Sequence, residues 1–470
     1  MFNNMKSYIV IHASIPVYIL VFLFCSGSVG LSKKEYRNDF TNADKAVKQP
    51  TVYIENNNGI YTIYRNGEPY YIKGAGGYSN LEALVKRGGN SLRTWDTQNA
   101  AEILDEAHKL GLTVTLGLEI GSQWWGDNIN YTDPDAVDQK IKELEKTILQ
   151  YKDHPALLMW GVGNEVHLFK GDDTALWVTI NRIAEMIHRL DPNHPTMTAL
   201  SIKTFQDKRE IIKMNLICDE IDILAINPFG KIQDVFNDLY GKTFGIPVWR
   251  GPFIISEWSS IGPWEAKNTA WHVPVEPNST DKAKQITSFY ETTIQQDRSR
   301  CLGSYVFFWG ERYERTHTYF SLISRSGNET PSLDALQYLW TGKYPENLAP
   351  EVISLQIENK PASDGFIMCA DKNYTAEVHA SDPDGDSLYY YWELRHEGKT
   401  NNAAEMYNFP LEKHIDKSAQ NKVTFKTPEE EGAYRLIVYI YDYKKHVAHA
   451  NVPIYVLYEC PSEVALEQIH

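Results

Sequence analysis

From residue 53 to residue 340 the chain repeats one pattern: a short apolar run, a polar loop, and a longer segment with apolar residues at helical spacing. In Ala100–Leu110, for example, Ile103, Leu104 and Ala107 fall on one helix face. Continuous apolar runs are typical of strands that are buried on both faces in a parallel sheet. The predicted strands are Tyr70–Lys73, Ser91–Trp95, Thr113–Leu118, Leu157–Val162, Thr196–Leu200, Ile221–Ile226, Phe253–Ser256 and Gly303–Phe308.

Helical segments separate these strands, and their ends carry the expected signals. Asp133 and Pro134 supply an N-cap and a first-turn proline, and Gly111 closes the preceding helix. The predicted helices include Ala100–Leu110, Ala136–Lys152, Thr174–Leu190, Thr280–Arg300 and Ser332–Trp340. Strands alternating with helices predict an α/β fold, a (β/α)8 TIM barrel, over residues 51–345. A hairpin turning at Asn66-Gly67 is expected to close the bottom of this barrel.

After the proline-bounded linker 345–350 the hydrophobic pattern changes to strict alternation, with no helix of any length. Short strands punctuated by turns predict a small all-β, immunoglobulin-like sandwich over residues 346–460, followed by a tail, 461–470. Its turn Asp382-Pro383-Asp384-Gly385-Asp386 could bind calcium or form an Asp-Gly turn. The turn is favoured, and no metal site is assigned.

The amino-terminal segment has the order of a signal peptide, 1–30, followed by a polar tether, 31–50. Lys6 precedes the apolar run Tyr8–Phe24, and small residues follow. Cleavage after Ser28 or Gly30 is favoured over lipidation at Cys25, because bulky Phe24 suits lipoprotein processing poorly; an uncleaved anchor is the third alternative. The prediction is an exported protein, secreted, periplasmic or on the cell surface, without stable membrane insertion after cleavage.

Composition narrows the range of partners. The formal net charge is −15, and no cluster of lysine or arginine is present, which argues against a nucleic acid partner. The 29 Tyr and 12 Trp suit the faces of sugar rings as well as cores. Cys369 and Cys460 could form a disulfide in an oxidising compartment, or remain buried thiols.

Candidate chemistry lies at two strand ends. The fourth strand leads into Asn164-Glu165, and the seventh leads into Glu257-Trp258. Parallel barrels place their active sites at the carboxyl ends of their strands. A pair of carboxyls is what cleavage of a glycosidic bond requires, one acting as acid and the other as nucleophile or base, and the neighbouring tryptophans suit the faces of sugar rings.

Several motifs resemble a known family in order and spacing. They are Asn66-Gly67-Glu68-Pro69 with Lys73-Gly74, Gly89 to Thr94, His154 to Leu157, Trp160 to Glu165, and Ile255 to Trp258. Together they resemble the catalytic barrel of glycoside hydrolase family 2, of the clan A retaining β-glycosidases, over about residues 55–340. The resemblance implies a retaining β-glycosidase without a cofactor.

By matching position, the resemblance also implies residue roles. Glu165 would be the acid/base and Glu257 the nucleophile. Asn164 would bind the sugar 2-hydroxyl and Arg93 would pair with the nucleophile, although a surface ion pair is the alternative for Arg93. Trp309 would form the aromatic floor under the sugar, although a core tryptophan is the alternative.

Other residues are candidates for substrate binding. Trp124 and Trp125 lie on the loop after the third strand, Trp258 adjoins Glu257, and Asn227 ends the sixth strand. Adjacent tryptophans on a loop suggest a ligand surface, but they could also fold back onto the barrel rim. After the eighth strand, the charged run between residues 311 and 317 is interpreted as a solvated loop.

One position departs from the clan pattern. Many clan A members place a tyrosine that hydrogen-bonds the nucleophile where this chain has Phe229, which has no hydroxyl. Either another group supplies that bond or the nucleophile is tuned less strongly.

The sequence thus predicts a retaining β-glycoside hydrolase acting on an oligo- or polysaccharide. A transglycosylase and an endo-β-glucanase of another clan A family are alternatives. A non-catalytic carbohydrate-binding protein is the alternative of another class. The sugar, its linkage and endo or exo action stay open.

Overall fold

The computed structural model describes residues 50–459 apart from 122–128, 169–173, 203, 244, 399–408 and 417–419. Within the residues described, no helix has both the length and the hydropathy to cross a bilayer. The predicted signal peptide, Trp124, Trp125 and Cys460 lie outside the described residues.

A small antiparallel sheet precedes the barrel. Its strands are β1 (Val52–Asn57), β2 (Ile60–Arg65) and β3 (Glu68–Tyr70). The turn between β2 and β3 is Asn66-Gly67, and both residues have positive φ, as the Asn-Gly signal predicts. Val52 and Ile63 pack against residues inside the barrel, so the sheet closes one end of it.

Eight parallel strands form a closed barrel, which confirms the predicted fold. Around the barrel they run β12-β13-β4-β5-β6-β7-β8-β9. They are β4 (Ile72–Gly76), β5 (Ser91–Arg93), β6 (Thr113–Leu118), β7 (Leu157–Asn164), β8 (Thr196–Ser201), β9 (Ile223–Asn227), β12 (Phe253–Trp258) and β13 (Cys301–Val306). A two-residue pair, β10 (Lys242–Thr243) and β11 (Ile246–Pro247), lies outside the barrel sheet.

Helices surround the barrel. They are α1 (Leu81–Lys86), α2 (Ala100–Lys109), α3 (Pro134–Tyr151), α4 (Thr174–Leu190), α5 (Phe205–Ile217), α6 (Val235–Tyr240), α7 (Ser279–Phe289) and α8 (Pro331–Thr341). Asp133 caps α3 by accepting from the N–H groups of Asp135 and Ala136. The predicted helix Thr280–Arg300 is shorter than expected, because a π turn follows α7 at Tyr290–Ile294 and the chain then leaves the helix.

Two sheets carry the second hydrophobic core and confirm the predicted all-β domain. Their strand orders are β15-β14-β17-β19 and β16-β21-β20-β18. The strands are β14 (Glu351–Ile357), β15 (Lys360–Pro361), β16 (Phe366–Cys369), β17 (Asn373–Ser381), β18 (Tyr389–His396), β19 (Lys422–Lys426), β20 (Gly432–Tyr441) and β21 (Val447–Leu457). Trp392, Phe425 and Leu436 are among the side chains buried between them.

The aspartate turn and the cysteines of this domain have defined partners. Asp382 accepts hydrogen bonds from the N–H groups of Asp384 and Asp386, as in an Asx turn. In the described part of the chain, no cluster of three or more metal-ligating side chains is found. Cys369 is disulfide-bonded, whereas Cys218 and Cys301 are buried free thiols. The pairing of Cys369 with Cys460 stays a prediction.

The barrel and the sandwich meet at the amino end of α7. Ser279 Oγ accepts from the N–H of His449 at 2.9 Å, and Thr280 Oγ1 accepts from the N–H of Val352 at 2.8 Å. Arg435 of β20 donates to the carbonyl of Pro274 at 2.8 Å and makes two bonds to Glu397. The contact between the two domains is therefore built from buried, paired polar groups.

Candidate active site

A cavity of about 540 Å³ opens at the carboxyl ends of the barrel strands. Its volume is within the usual range of ligand sites, about 300–1,000 Å³. Its lining combines carboxyls with aromatic rings. The lining residues are Trp95, Asp96, Glu119, Ile120, Gly121, Gly163, Asn164, Glu165, Val166, Leu168, Phe229, Glu257, Trp264, Phe307, Arg312 and Glu314.

Glu165 enters this cavity from the end of β7 through unusual backbone geometry. Gly163 has φ 75° and Glu165 itself has φ 50°, the left-handed region that a glutamate rarely adopts. The Glu165 N–H donates to the carbonyl of Ala199 at 2.8 Å, which fixes the bend. Strained residues of this kind concentrate at functional sites, since the surrounding structure must hold them in place.

Glu257 lies near the end of β12, and two donors hold it. Its Oε1 accepts from Arg93 Nη1 at 3.0 Å and from Trp95 Nε1 at 2.7 Å. Among the described residues no hydrogen bond reaches its Oε2. Phe229 has no hydroxyl to donate to Glu257, and in this chain the indole N–H of Trp95 makes a hydrogen bond to that carboxyl.

A hydrogen-bonded network joins the two glutamates beneath the cavity. Asn164 Oδ1 accepts from Arg93 Nη2 at 2.7 Å and from Asn227 Nδ2 at 3.1 Å. Asn227 Nδ2 also lies 3.1 Å from Glu165 Oε1. Both Arg93 and Asn227 are buried and do not line the cavity. Arg93 pairs with Glu257, as expected, and not with a partner on the surface. Asn227, which was predicted to contact substrate, instead holds Asn164 and Glu165.

Two predicted substrate-binding tryptophans belong to the core. Trp309 is fully buried, lies against Trp340 of α8 and donates to the carbonyl of Asn80. Trp258 is fully buried against Tyr290. Successive strand residues point to opposite faces, so Glu257 faces the cavity while Trp258 faces the helices. The alternative of a core tryptophan is the correct one for Trp309, and the binding role predicted for Trp258 is wrong.

Other rings form the aromatic wall of the cavity. Phe229 contacts Trp264 edge to face at 5.0 Å and Phe307 at 5.4 Å between ring centres. Trp95 packs near Phe307 at 5.8 Å. Trp95 was not among the predicted site residues; the signal in the sequence is its place two residues after Arg93, just beyond the end of β5.

Arg312 and Glu314 also line the cavity, so the interpretation of their loop as solvated is wrong at these positions. Glu314 is only 5% exposed, and Arg312 Nε lies 3.5 Å from its Oε2. Burial raises the pKa of Glu314; the Arg312 charge opposes this, and the Glu257 charge adds to it. By contrast, Glu311 and His317 of the same loop pair with each other outside this cavity.

Buried polar groups support this loop from behind. Glu276 accepts from Thr316 Oγ1 at 2.7 Å and from Thr318 Oγ1 at 2.8 Å. Lys282 pairs with Glu276 and donates to the carbonyl of Thr318 at 2.7 Å. Burial raises the pKa of Glu276, but the Lys282 charge and other nearby charges outweigh burial and bring the pKa to about 2. Arg315 of the loop donates to the carbonyl of Gly398, which belongs to the sandwich, at 3.2 Å.

Comparison with known proteins agrees with the predicted resemblance. Residues 79–199 match the model of the TIM barrel domain of glycosyl hydrolases family 2. A β-glucuronidase of Paenibacillus borealis is 25% identical over 152 residues, which is 28% of this chain and 25% of that protein. The chain thus spans about a quarter of the length of the curated relative it matches.

Solved structures of similar fold include β-glucuronidases. Bacteroides uniformis β-glucuronidase 2, covalently bound to cyclophellitol-6-carboxylate aziridine, has 13% identity and a TM-score of 0.47 over 86% of this chain and 48% of its own. The β-D-glucuronidase of Dictyoglomus thermophilum has 19% identity and a TM-score of 0.47 over 63% of this chain and 54% of its own. The chain spans about half the length of these structures.

Proposed function

We propose, from the premise that this chain is a glycoside hydrolase with a family 2 barrel, that it cleaves β-linked glycosidic bonds with retention of configuration. The observation that carries the proposal is the opening of Glu165 and Glu257 into one cavity. A network through Arg93, Asn164 and Asn227 connects them below it. Two carboxyls with separate hydrogen-bond environments are what double displacement requires.

In the proposed reaction Glu257 is the nucleophile. Arg93 and Trp95 both donate to Oε1, which leaves Oε2 to attack the anomeric carbon. The new bond joins Oε2 to that carbon while the bond to the departing oxygen breaks, and the glycosyl group is held as an ester. Both donors stabilise the carboxylate when it is released again in the second step.

Glu165 is the proposed acid/base. It gives its proton to the departing oxygen in the first step and takes a proton from water in the second. Asn227 fixes its carboxyl through Oε1, and the left-handed backbone at Glu165 sets its entry into the cavity. Asn164 lines the cavity beside it and is the proposed partner of a sugar hydroxyl.

The charge of the cavity favours a neutral sugar. Five carboxyl groups line it among the described residues, against one guanidinium, that of Arg312. The carboxyls are those of Asp96, Glu119, Glu165, Glu257 and Glu314. These carboxyls would repel a ligand that carries several carboxylates of its own. A β-glucuronide is the second candidate, because Arg312 could pair with a uronate and a relative of this chain is named as a β-glucuronidase.

The test is a pair of variants assayed on aryl β-glucoside, β-galactoside and β-glucuronide. Glu257→Ala should lose activity by on the order of 10⁴-fold or more and regain part of it with azide, giving a glycosyl azide of inverted configuration. Glu165→Ala should lose about 10²- to 10⁴-fold on poor leaving groups and much less on good ones. Wild-type rates in both variants would refute the proposal. Activity on the β-glucuronide alone would show that the substrate is a uronide and not a neutral sugar.

Export is part of the proposed function and depends on the amino-terminal pattern alone. A protein processed after Ser28 or Gly30 would begin with the polar tether. Mass spectrometry of the mature amino terminus checks this, and a diacylglycerol on Cys25 would show lipidation instead.

A further inference from the structure

A second cavity, of about 340 Å³, lies between the loop after β13 and one face of the sheet that contains β18, β20 and β21. Its volume is at the lower end of the range for ligand sites, about 300–1,000 Å³. The proposed reaction uses none of its side chains. Described lining residues include Glu311, His317, Tyr391, Glu393, Tyr439 and His449.

Tyrosine rings form the sandwich side of this cavity. Tyr391 of β18 and Tyr439 of β20 are cross-strand partners with ring centres 6.2 Å apart, and Tyr441 follows at 6.5 Å from Tyr439. Their sheet face is the one opposite the sandwich core, and Tyr391 is 44% exposed. Half-buried aromatic faces in a row suit stacking against the apolar faces of sugar rings.

Buried polar groups lie beside these rings. Glu393 is buried and accepts from Arg395 Nε at 2.6 Å. His449 is 3% exposed, and its Nδ1 has no partner within the part of the chain that the structure describes. Burial, with the Lys282 charge adding, lowers the pKa of His449 to about 3, so the ring is neutral. A buried polar atom without a partner is costly, and a ligand hydroxyl would satisfy it.

The loop after β13 contributes to both cavities. Glu311 and His317 line this second cavity, whereas Arg312 and Glu314 line the active-site cavity. The acids and bases of the second cavity are largely paired with one another, as in Glu393 with Arg395 and Glu311 with His317. Such a lining suits a neutral, hydroxyl-rich ligand better than an anion.

We propose that this junction cavity, formed by Tyr391, Tyr439, Tyr441, Glu393 and His449 with the loop after β13, is a second binding site for a neutral β-linked glycan. The β-linkage rests on the proposed function, whereas the sugar chemistry rests on the cavity itself. The glycan is either a distal part of the chain held in the active site or a separate chain.

The binding test uses the full chain with Glu257→Gln, which prevents turnover. Its migration is followed in native gels containing barley β-glucan, laminarin, birch xylan or potato galactan. Tyr391→Ala in this background should weaken the apparent affinity for the retarding polysaccharide about fivefold to tenfold, because one stacking face is lost. Tyr344→Ala is the matched control, since Tyr344 is 54% exposed and stacks on Tyr338 away from both cavities.

Kinetics of the otherwise wild-type enzyme distinguish the two sources of the glycan. If one chain occupies both cavities, Tyr391→Ala raises KM for the long substrate and leaves kcat/KM on an aryl glycoside unchanged. If a separate chain binds, Tyr391→Ala reduces retardation in the gel but changes neither KM for the long substrate nor kcat/KM on the aryl glycoside.

The inference is overturned if no polysaccharide retards the protein, or if Tyr391→Ala and Tyr344→Ala migrate alike. The inference is also overturned if Tyr391→Ala lowers kcat/KM on the aryl glycoside as much as it lowers polysaccharide affinity and also lowers the melting temperature. The effect would then be structural. Retardation that depends on Tyr391 in a chain inactive on every glycoside would uphold this site and refute the proposed reaction. Activity without retardation would do the reverse.

Discussion

Two parts of the active-site cavity are held in different ways. Arg93, Asn164, Asn227 and Glu257 all lie on barrel strands, and they bond directly to one another. The wall formed by Arg312 and Glu314 lies on a loop that is supported by Glu276 and by the sandwich. The relative position of Glu165 and Glu257 therefore depends on the register of the barrel strands, whereas the shape of the wall depends on a second domain.

Breaking the strand-end network should have the largest effect. Arg93→Met leaves Glu257 and Asn164 without their shared partner, and breaking a buried ion pair costs about 3–5 kcal/mol. We expect kcat/KM on an aryl glycoside to fall on the order of 10²-fold or more, with a lower melting temperature.

Arg189→Met is the control for Arg93→Met, since Arg189 pairs with Glu145 on an exposed surface at 3.0 Å. Exposed pairs contribute about 0–1 kcal/mol, so activity should not change. Equal effects of the two substitutions would contradict the network.

Removing one donor to Glu257, the proposed nucleophile, should have a smaller effect. Trp95→Phe keeps a ring and loses the hydrogen bond from Nε1 to Glu257. A hydrogen bond to a charged group is worth about 1.5–3 kcal/mol, so kcat should fall about tenfold to a hundredfold.

Adding Phe229→Tyr to Trp95→Phe sharpens the comparison. The hydroxyl stands where many clan A members have one, and partial recovery of kcat would show that the two positions are alternative sources of one bond. If Trp95→Phe alone has the wild-type kcat, the role given to Trp95 is wrong.

Loosening the loop should affect binding more than reaction. Thr316→Val removes the hydroxyl that bonds Glu276 at 2.7 Å, at a cost of about 1–3 kcal/mol of stability. We expect KM to rise a few-fold, with kcat on an activated aryl glycoside nearly unchanged. Thr292→Val, at an exposed helix end, is the control, and a large fall in kcat for Thr316→Val would link the loop to the reacting groups instead.

Substitution of His188, which lies outside both parts of the cavity, should have the smallest effect on activity. Burial lowers the pKa of His188, but hydrogen bonds to Asp222 and Glu220 outweigh burial and raise it to about 9 from 6.5. A raised folded-state pKa gives stability that is complete below pH 6.5 and is lost as pH rises through 9. The free energy of unfolding measured in urea should therefore decline from pH 6.5 to 9, and it should decline less in His188→Gln. The pH dependence of kcat over this range should be the same in both proteins, because it is set by groups in the active site.

Much of the barrel was predictable because periodicity is a local property. Continuous apolar runs identify strands, Asn-Gly identifies a turn, and Asp-Pro identifies a helix start, all without knowledge of what packs against them. The rule that parallel strands end at one mouth then brings Glu165 and Glu257 together from distant parts of the chain, as the structure shows.

The burial of individual rings was not predictable in the same way. Trp258 and Trp309 lie next to the site in sequence, yet both are buried in the core that the barrel shares with its helices. Pleating explains this for Trp258 in β12, whereas Trp309 lies beyond the end of β13. Trp95, which was not among the predicted site residues, reaches Glu257 because Gly117 lets the backbone of Trp95 lie against it; a Cβ at Gly117 would collide with that backbone.

The local pattern of residues is enough to predict the alternation of strands and helices, the change of period at the sandwich, and the two glutamates at strand ends. Which side chains line the cavity and which support it depends on contacts between distant parts of the folded chain. Arg312 and Glu314 are the clearest case, because their position depends on Glu276 and Arg315 contacts made across long separations in the chain. Local patterns encode elements, whereas long-range packing sets where the loops between them lie.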